Sequence, residues 1–539
     1  MNRICAAGVA AIATLTLAAC GSDSTTATVA SATTRGTLVE NPAFRIASLD
    51  AADFQAQLAA SSAGAQLLQV TGAPACGVDF YYLKFWTVGG AGESTESSGA
   101  LMVPTGAAPG CSGPRPILLY AHGTQTNKLL NIADITNPSN TEGALIAAMF
   151  AAQGYIVVAP NYAGYDISTL GYHPFLNATQ QSGEMIDILA AGRAALPHTF
   201  AASTKDSGQL LVAGYSEGGH VAVATVKALE AAGQTVAAAM GGSGPYALEA
   251  FGDAIMFGNV NIGSTEFAPL LTTSYQHAYG NIYSSTSDIY STTYASGIDT
   301  LLPSATPIDT LFAENKLPET YLFDSTTPTV VVPGRMDLTN ELTAALAVPP
   351  ANSSPEAPIF DLGFGNPYLI NNSVRVAYAL DAASDPDGQD TPLTGMAASP
   401  ALAPAAPGYP LRKAFYLNDM RGWYGTSIPG APLLMCGGEN DPTVFYPVNT
   451  GTMAAFWSGV PTIFTLDVDP LGGPSGAYAA IQTGFQTSEA QELAFLQTAA
   501  GGGLSASAAE QALVEGYHQA VAPFCALAAR AFFTQVLAE

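Results

Sequence analysis

The feature that most constrains this chain is Gly214-Tyr215-Ser216-Glu217-Gly218-Gly219, which follows the apolar run Leu210-Leu211-Val212-Ala213 and opens a stretch, residues 218–232, with helical character. A G-x-S-x-G sequence between a buried strand and a helix specifies a turn so sharp that side chains beside the serine would collide, hence the glycines. The turn sets Ser216 at a helix N-terminus, whose dipole favours an oxyanion formed during acyl transfer. Ser216 is therefore the candidate nucleophile, and the rest of the chain must supply a sheet around it, a base and an acid.

The surrounding runs fit that demand. Residues 117–121, 155–159, 210–213 and 236–240 are short and apolar without polar alternation, the pattern of strands buried on both faces. Helical stretches over 182–196 and 218–232 separate them, which implies parallel crossovers. Upstream, the β-branched and aromatic run 78–88, the Gly/Ser-rich turn 89–98 and the run 100–104 read as an antiparallel pair. Strands resume at 432–436 and 462–466, and residues 521–537 read as a final helix. Between about 248 and 410 the chain is rich in Tyr, Ser, Thr, Asn and Pro and loses the alternation; a stretch so long is expected to form a cap rather than a structureless loop. The expectation is an α/β protein with a mostly parallel central sheet, helices on both faces, core segments 41–247 and 411–539, and an inserted cap over 248–410.

Serine needs a base that a carboxylate orients, and around this turn the chain order is Ser, acid, His. Of six histidines only His518 lies beyond the last candidate acid, in Glu515-Gly516-Tyr517-His518-Gln519, read as a loop before the final helix. The acid should follow a buried strand, and Leu433-Leu434-Met435-Cys436-Gly437-Gly438-Glu439-Asn440-Asp441 supplies Asp441, with Glu439 as competitor. Asp467 and Asp469 follow the next strand and are weaker candidates. One oxyanion donor is expected from the backbone N–H of Thr124 or Gly123, in Tyr120-Ala121-His122-Gly123-Thr124, and the other from that of Glu217. His122 and His220 are read as braces. No CxxC and no His/Cys cluster at zinc spacing occurs, so a metal site has no support in the sequence.

The N-terminus reads as a processed segment. Arg3 precedes an apolar stretch, 4–19, shorter than the roughly 20 residues of a membrane span, followed by small and polar residues as in a secretory signal. Leu17-Ala18-Ala19-Cys20-Gly21-Ser22 resembles a bacterial lipobox, in which Cys20 would be lipidated and become the mature N-terminus. The expected organisation is signal 1–19, then a Ser/Thr/Ala-rich flexible tether over 20–40. Cys76, Cys111, Cys436 and Cys525 then face an oxidising compartment; of the three possible connectivities, Cys76–Cys111 and Cys436–Cys525 are favoured, the second because it ties the segments of acid and base. With 16 Lys and Arg against 42 Asp and Glu, a formal charge of −26, the surface repels phosphate backbones, so nucleic acid is excluded as a partner.

Taken together, Tyr120-Ala121-His122-Gly123-Thr124, Val158-Ala159-Pro160-Asn161-Tyr162-Ala163-Gly164-Tyr165, Gly171-Tyr172-His173-Pro174-Phe175-Leu176, the Ser216 turn with His220, and Cys436-Gly437-Gly438-Glu439-Asn440-Asp441-Pro442-Thr443-Val444 resemble bacterial lipoproteins of the α/β-hydrolase superfamily related to secretory lipases of the Candida lipase A type. The resemblance runs from about residue 78 to the C-terminus, interrupted by the cap. It implies an α/β-hydrolase fold, hydrolysis of carboxylic esters without metal or organic cofactor, and Ser216, Asp441 and His518 as triad. It implies an ester or lipid substrate, a membrane met through the N-terminal lipid, and a place in the cell envelope or beyond it. Three other readings stay open: a polyester depolymerase, a serine peptidase of the prolyl-oligopeptidase type, against which too little chain precedes the core to form a propeller, and a noncatalytic binding lipoprotein, for which the Ser, Asp, His order has no use.

Overall fold

Every strand among the described residues joins one sheet. The computed structural model describes residues 35–349, 357–384, 399–498 and 503–538; the signal 1–19, Cys20 and most of the tether lie outside them. The strands are β1 (Phe44–Leu49), β2 (Gly77–Val88), β3 (Ser94–Thr105), β4 (Gly113–Ala121), β5 (Ile156–Pro160), β6 (Thr204–Tyr215), β7 (Ala238–Gly242), β8 (Leu433–Gly437) and β9 (Ile463–Asp467). Their order is β1-β2-β3-β5-β4-β6-β7-β8-β9. The pairs β1/β2, β2/β3 and β3/β5 are antiparallel, and every pair from β5/β4 to β8/β9 is parallel.

The apolar runs without alternation are explained by this arrangement. On β6, Leu211 and Ala213 face one side and Leu210 and Val212 the other, and all four are buried. One side packs on the helices Thr141–Met149 and Ala506–Ala538, through Leu145, Ile146, Phe524 and Phe533 among others. The opposite side packs on the helices Ala178–Ala195 and Glu217–Ala231, through Ile188, Leu189, Val223 and Val226. A strand covered on both faces has no position for a polar side chain unless that side chain finds a partner.

β3 shows the exception. Its first half, Ser94–Ser98, reads as turn by composition, yet it is strand, and Thr95, Ser97 and Ser98 are buried. Each hydroxyl has a partner: Thr95 Oγ1 with Ser168 Oγ at 3.0 Å, Ser97 Oγ donating to Glu184 at 2.7 Å and Ser98 Oγ donating to Asp166 at 2.6 Å. Two further expectations are corrected. Residues 35–40, assigned to the tether, are docked on β2: the Gly36 and Val39 N–H groups donate to Trp86 O and Lys84 O, both at 2.8 Å, and Arg35 pairs with Asp187 at 3.0 Å. The final helix does not begin near 521 but spans Ala506–Ala538, so His518 sits inside a helix rather than a loop. Gly516 and Pro523 suggest a break there; burial of Tyr517, Val521, Phe524 and Cys525 against the sheet outweighs the helix penalty of both residues. This is the one helix among the described residues long and apolar enough to cross a membrane.

Between β7 and β8 the regular elements of the described chain are helices, and their apolar side chains, Leu270, Tyr275, Ile370 and Phe415 among them, form a cluster that Phe175 and Leu176 join from the segment after β5. The two ends of this insertion are held together by buried charges. Arg412, on the helix Pro410–Asn418, pairs with Asp253 at 2.8 Å and Glu249 at 3.1 Å on the helix Leu248–Met256. Breaking one member of a buried pair leaves an uncompensated charge, so these residues define how the insertion is rooted in the core.

Both favoured disulfides are formed, Cys76–Cys111 and Cys436–Cys525. The second joins the end of β8 to the C-terminal helix and closes a loop with a sequence separation of 89. In the chain-entropy account a loop of that size is worth about 4–5 kcal/mol.

Candidate active site

Local sterics build the centre of the site. Ser216 has φ +58° and ψ −126°, a conformation that costs a non-glycine residue on the order of 1–3 kcal/mol and persists only where the surroundings impose it. They impose it here: a Cβ on Gly214 would lie 2.1 Å from Gly218 O, and one on Gly218 would lie 2.0 Å from Ala121 O. The Ser216 N–H donates to Gly242 O at the end of β7, at 2.8 Å.

The three residues placed in order by sequence meet at that turn. Ser216 Oγ lies 2.8 Å from His518 Nε2, and His518 Nδ1 lies 2.7 Å from Asp441 Oδ2. Asp441 Oδ1 accepts the N–H groups of Thr443 and Val444 at 2.9 and 3.0 Å, so the carboxylate is held by three donors and has one orientation. All three residues are buried. The His518 carbonyl accepts the Tyr215 hydroxyl, an anchor between the turn at Ser216 and the C-terminal helix. The rival acids lie elsewhere. The Glu439 N–H donates to Asp467 Oδ1 at 3.0 Å, and Asp469 receives Asn440 Nδ2 and the Tyr517 hydroxyl. Burial pushes Asp467 up to about 6.

The two candidates for the upstream oxyanion donor are not equivalent. The Gly123 N–H is taken by Glu142, 3.1 Å from Oε1 and 3.0 Å from Oε2. Gly123 is thereby withdrawn as a donor, a correction that no local pattern foretells, because Glu142 arrives from the helix Thr141–Met149. The Thr124 N–H makes no hydrogen bond among the described residues, and Thr124 lines the same pocket as Ser216 and Glu217. The Glu217 side chain is also more than a bystander: it is fully buried, with Oε1 2.7 Å from His173 Nε2 and 2.6 Å from the donating Gln181 Nε2. No sequence pattern points to Glu142, and the only sequence signal for the His173–Glu217–Gln181 side-chain group is His173 within Gly171-Tyr172-His173-Pro174-Phe175-Leu176. His122 and His220 both lie within hydrogen-bond distance of backbone carbonyls. The His122 ring nitrogens lie 2.6 Å from Gly123 O and 3.3 Å from Asn161 O, His220 Nε2 lies 2.8 Å from Asn418 O, and burial holds both imidazoles below their usual range.

Beside Ser216 opens an apolar pocket that is partly open to solvent. Its wall comes largely from the insertion, with Phe251, Ile255, Phe267, Leu271, Ile370 and Val374 among the lining side chains.

A sheet with one antiparallel edge, a strained serine at the strand-to-helix turn after β6, and an aspartate after β8 and a histidine on the last helix hydrogen-bonded to it in a chain are the arrangement of the α/β-hydrolase fold. Solved structures share it. The rice cell wall degrading esterase LipA from Xanthomonas oryzae matches with a TM-score of 0.59 at 22% identity, over 90% of this chain and 98% of its own. A putative hydrolase from Legionella pneumophila matches with a TM-score of 0.59 at 17% identity, over 93% and 98%. Candida antarctica lipase A aligns with a TM-score of 0.44 at 12% identity, over 80% and 76%. No family model and no curated protein matches the sequence.

Proposed function

We propose that this chain is a serine carboxylic-ester hydrolase that acts through an acyl-enzyme on esters with a hydrophobic acyl group. The observation that carries the reading is the continuous Ser216–His518–Asp441 hydrogen-bond chain beside an apolar pocket; an esterase among the solved structures of this fold supports it.

In the first half-reaction Ser216 Oγ bonds to the ester carbonyl carbon while its proton passes to His518 Nε2. The carbonyl electron pair becomes an oxyanion facing the N–H groups of Thr124 and Glu217. As the intermediate collapses, the bond to the alcohol oxygen breaks and that oxygen takes the proton from His518. Water repeats the sequence on the acyl-enzyme, releasing the acid and returning the proton to Ser216. Asp441 keeps the Nδ1–H of His518 turned inward throughout, so that Nε2 is the acceptor.

The acyl chain lies along the apolar wall. Each methylene buried there is worth about 0.8 kcal/mol, a factor of about four in binding. With p-nitrophenyl esters from acetate to palmitate, kcat/KM is expected to climb with chain length until the pocket is filled. A profile that favours acetate would remove the hydrophobic acyl group from the reading, and no hydrolysis of any ester would remove the esterase itself.

Export and a lipid anchor on Cys20 belong to the same proposal. Two disulfides fit an oxidising compartment. Mass spectrometry of the mature N-terminus is expected to find a lipid-modified Cys20; an unmodified chain starting elsewhere would remove the anchor.

A further inference from the structure

The Gly123 backbone is wedged between the nucleophile and a carboxylate. A Cβ at Gly123 would stand 3.3 Å from Ser216 Cβ and 3.5 Å from Glu142 Oε2, so this stretch of the loop runs close beside the nucleophile. Glu142 holds the peptide with both oxygens, and Oε1 also accepts the Tyr120 hydroxyl at 2.8 Å. The carboxylate is itself held. It sits in the first turn of the helix Thr141–Met149, whose cap Asn140 accepts the Gly143 N–H at 3.1 Å and donates through Nδ2 to the carbonyls of Asn131, Ile132 and Asp134.

We propose that Glu142 is a positioning residue of this site: by occupying the Gly123 N–H it sets the loop against Ser216 so that Thr124 presents the upstream donor to the oxyanion. The inference rests on the serine-hydrolase reading and adds to it the group that orients half of the oxyanion site. Desolvation pushes the Glu142 carboxyl up to about 7, with the Tyr120 and Gly123 hydrogen bonds pulling the other way.

The test compares wild type, Glu142→Gln and Glu142→Ala in the full chain, using p-nitrophenyl octanoate for kcat and KM across pH 5–9. A fluorophosphonate probe read by mass spectrometry reports Ser216 reactivity separately, and thermal melts report folding. Glu142→Ala is expected to lower kcat and the labelling rate by about 10- to 100-fold with KM within about twofold. Glu142→Gln keeps an acceptor for Gly123 and is expected to restore kcat near pH 8 to within about threefold. A purely structural role would not give this pattern, in which kcat falls with KM held and the isosteric variant rescues it. Wild-type kcat in Glu142→Ala, or a kcat in Glu142→Gln as low as in Glu142→Ala, overturns the positioning role while labelling and turnover of wild type keep the hydrolase reading. If Glu142→Ala does not fold, Glu142→Asp, one methylene shorter, takes its place, and wild-type kcat in that variant overturns the role. A wild type that neither labels nor hydrolyses esters overturns both.

Discussion

Replacing Ser216 with alanine is expected to lower kcat on every ester by roughly 10⁵- to 10⁶-fold, with KM changed only a few-fold, because the group lost forms a bond in the transition state and contributes little to holding the ground state. Thr124 and Thr443 also line the pocket, but His518 Nε2 bonds only to Ser216 Oγ, so neither threonine has a base to take its proton. The measurement is the initial rate with p-nitrophenyl octanoate, beside His518→Ala and the double variant. Since nucleophile and base act as one unit, the double variant should be scarcely worse than either single one. A loss under about tenfold in Ser216→Ala would mean that another group attacks the ester, and the reading of the turn after β6 would fail. Folding should survive the substitution, because the conformation at residue 216 is imposed by the packed glycines around it and by its bond to Gly242 O.

Asp441→Asn is expected to cost about 10⁴-fold in kcat while leaving the chain folded. Asp441 Oδ1 faces two backbone N–H donors and Oδ2 faces His518 Nδ1. An asparagine must place its NH₂ against one of these sets. Turned toward His518, it confronts a donor with a donor and drives the ring to the tautomer with its proton on Nε2, which cannot accept from Ser216. Turned the other way, it opposes Thr443 and Val444 and strains the loop after β8. Glu439→Gln and Asp467→Asn provide the contrast, since the hydrogen bonds of His518 run to Asp441 and Ser216, and each should stay within a few-fold of wild type. A large loss in Glu439→Gln with little loss in Asp441→Asn would reverse the assignment of the acid. The rates are read at a pH where wild type is on its plateau, so that a moved limb is not mistaken for lost chemistry.

The parts of this site that were legible in sequence are those with a short-range cause. The turn at Ser216 is written in ten consecutive residues, because an apolar run, glycines at fixed offsets and a helix start are all local. Asp441 was legible as the carboxylate beyond a buried strand, and His518 as the last histidine in the chain order of the fold. Its setting was misread, since Gly516 and Pro523 signal a break when viewed locally, whereas the helix gains its stability from residues packed on the sheet. The first half of β3 was missed for a related reason: serines and threonines read as turn until Ser168, Glu184 and Asp166 are seen to satisfy them. The insertion defied periodicity because its helices pack on one another and on the core, so no single face carries the pattern.

By itself, then, the sequence determined the strand-to-helix turn, the buried parallel strands and the chain order of Ser216, Asp441 and His518, which follow from steric and apolar patterns spanning a few residues to a few turns. Only the tertiary structure decided that the Gly123 N–H is taken by Glu142 while that of Thr124 makes no hydrogen bond among the described residues, that His173 and Gln181 hold the Glu217 carboxylate, and that an apolar pocket opens beside the serine. Those outcomes depend on hydrogen bonds and contacts between segments far apart in the chain, whose meeting is set by the packing of the whole sheet and its insertion.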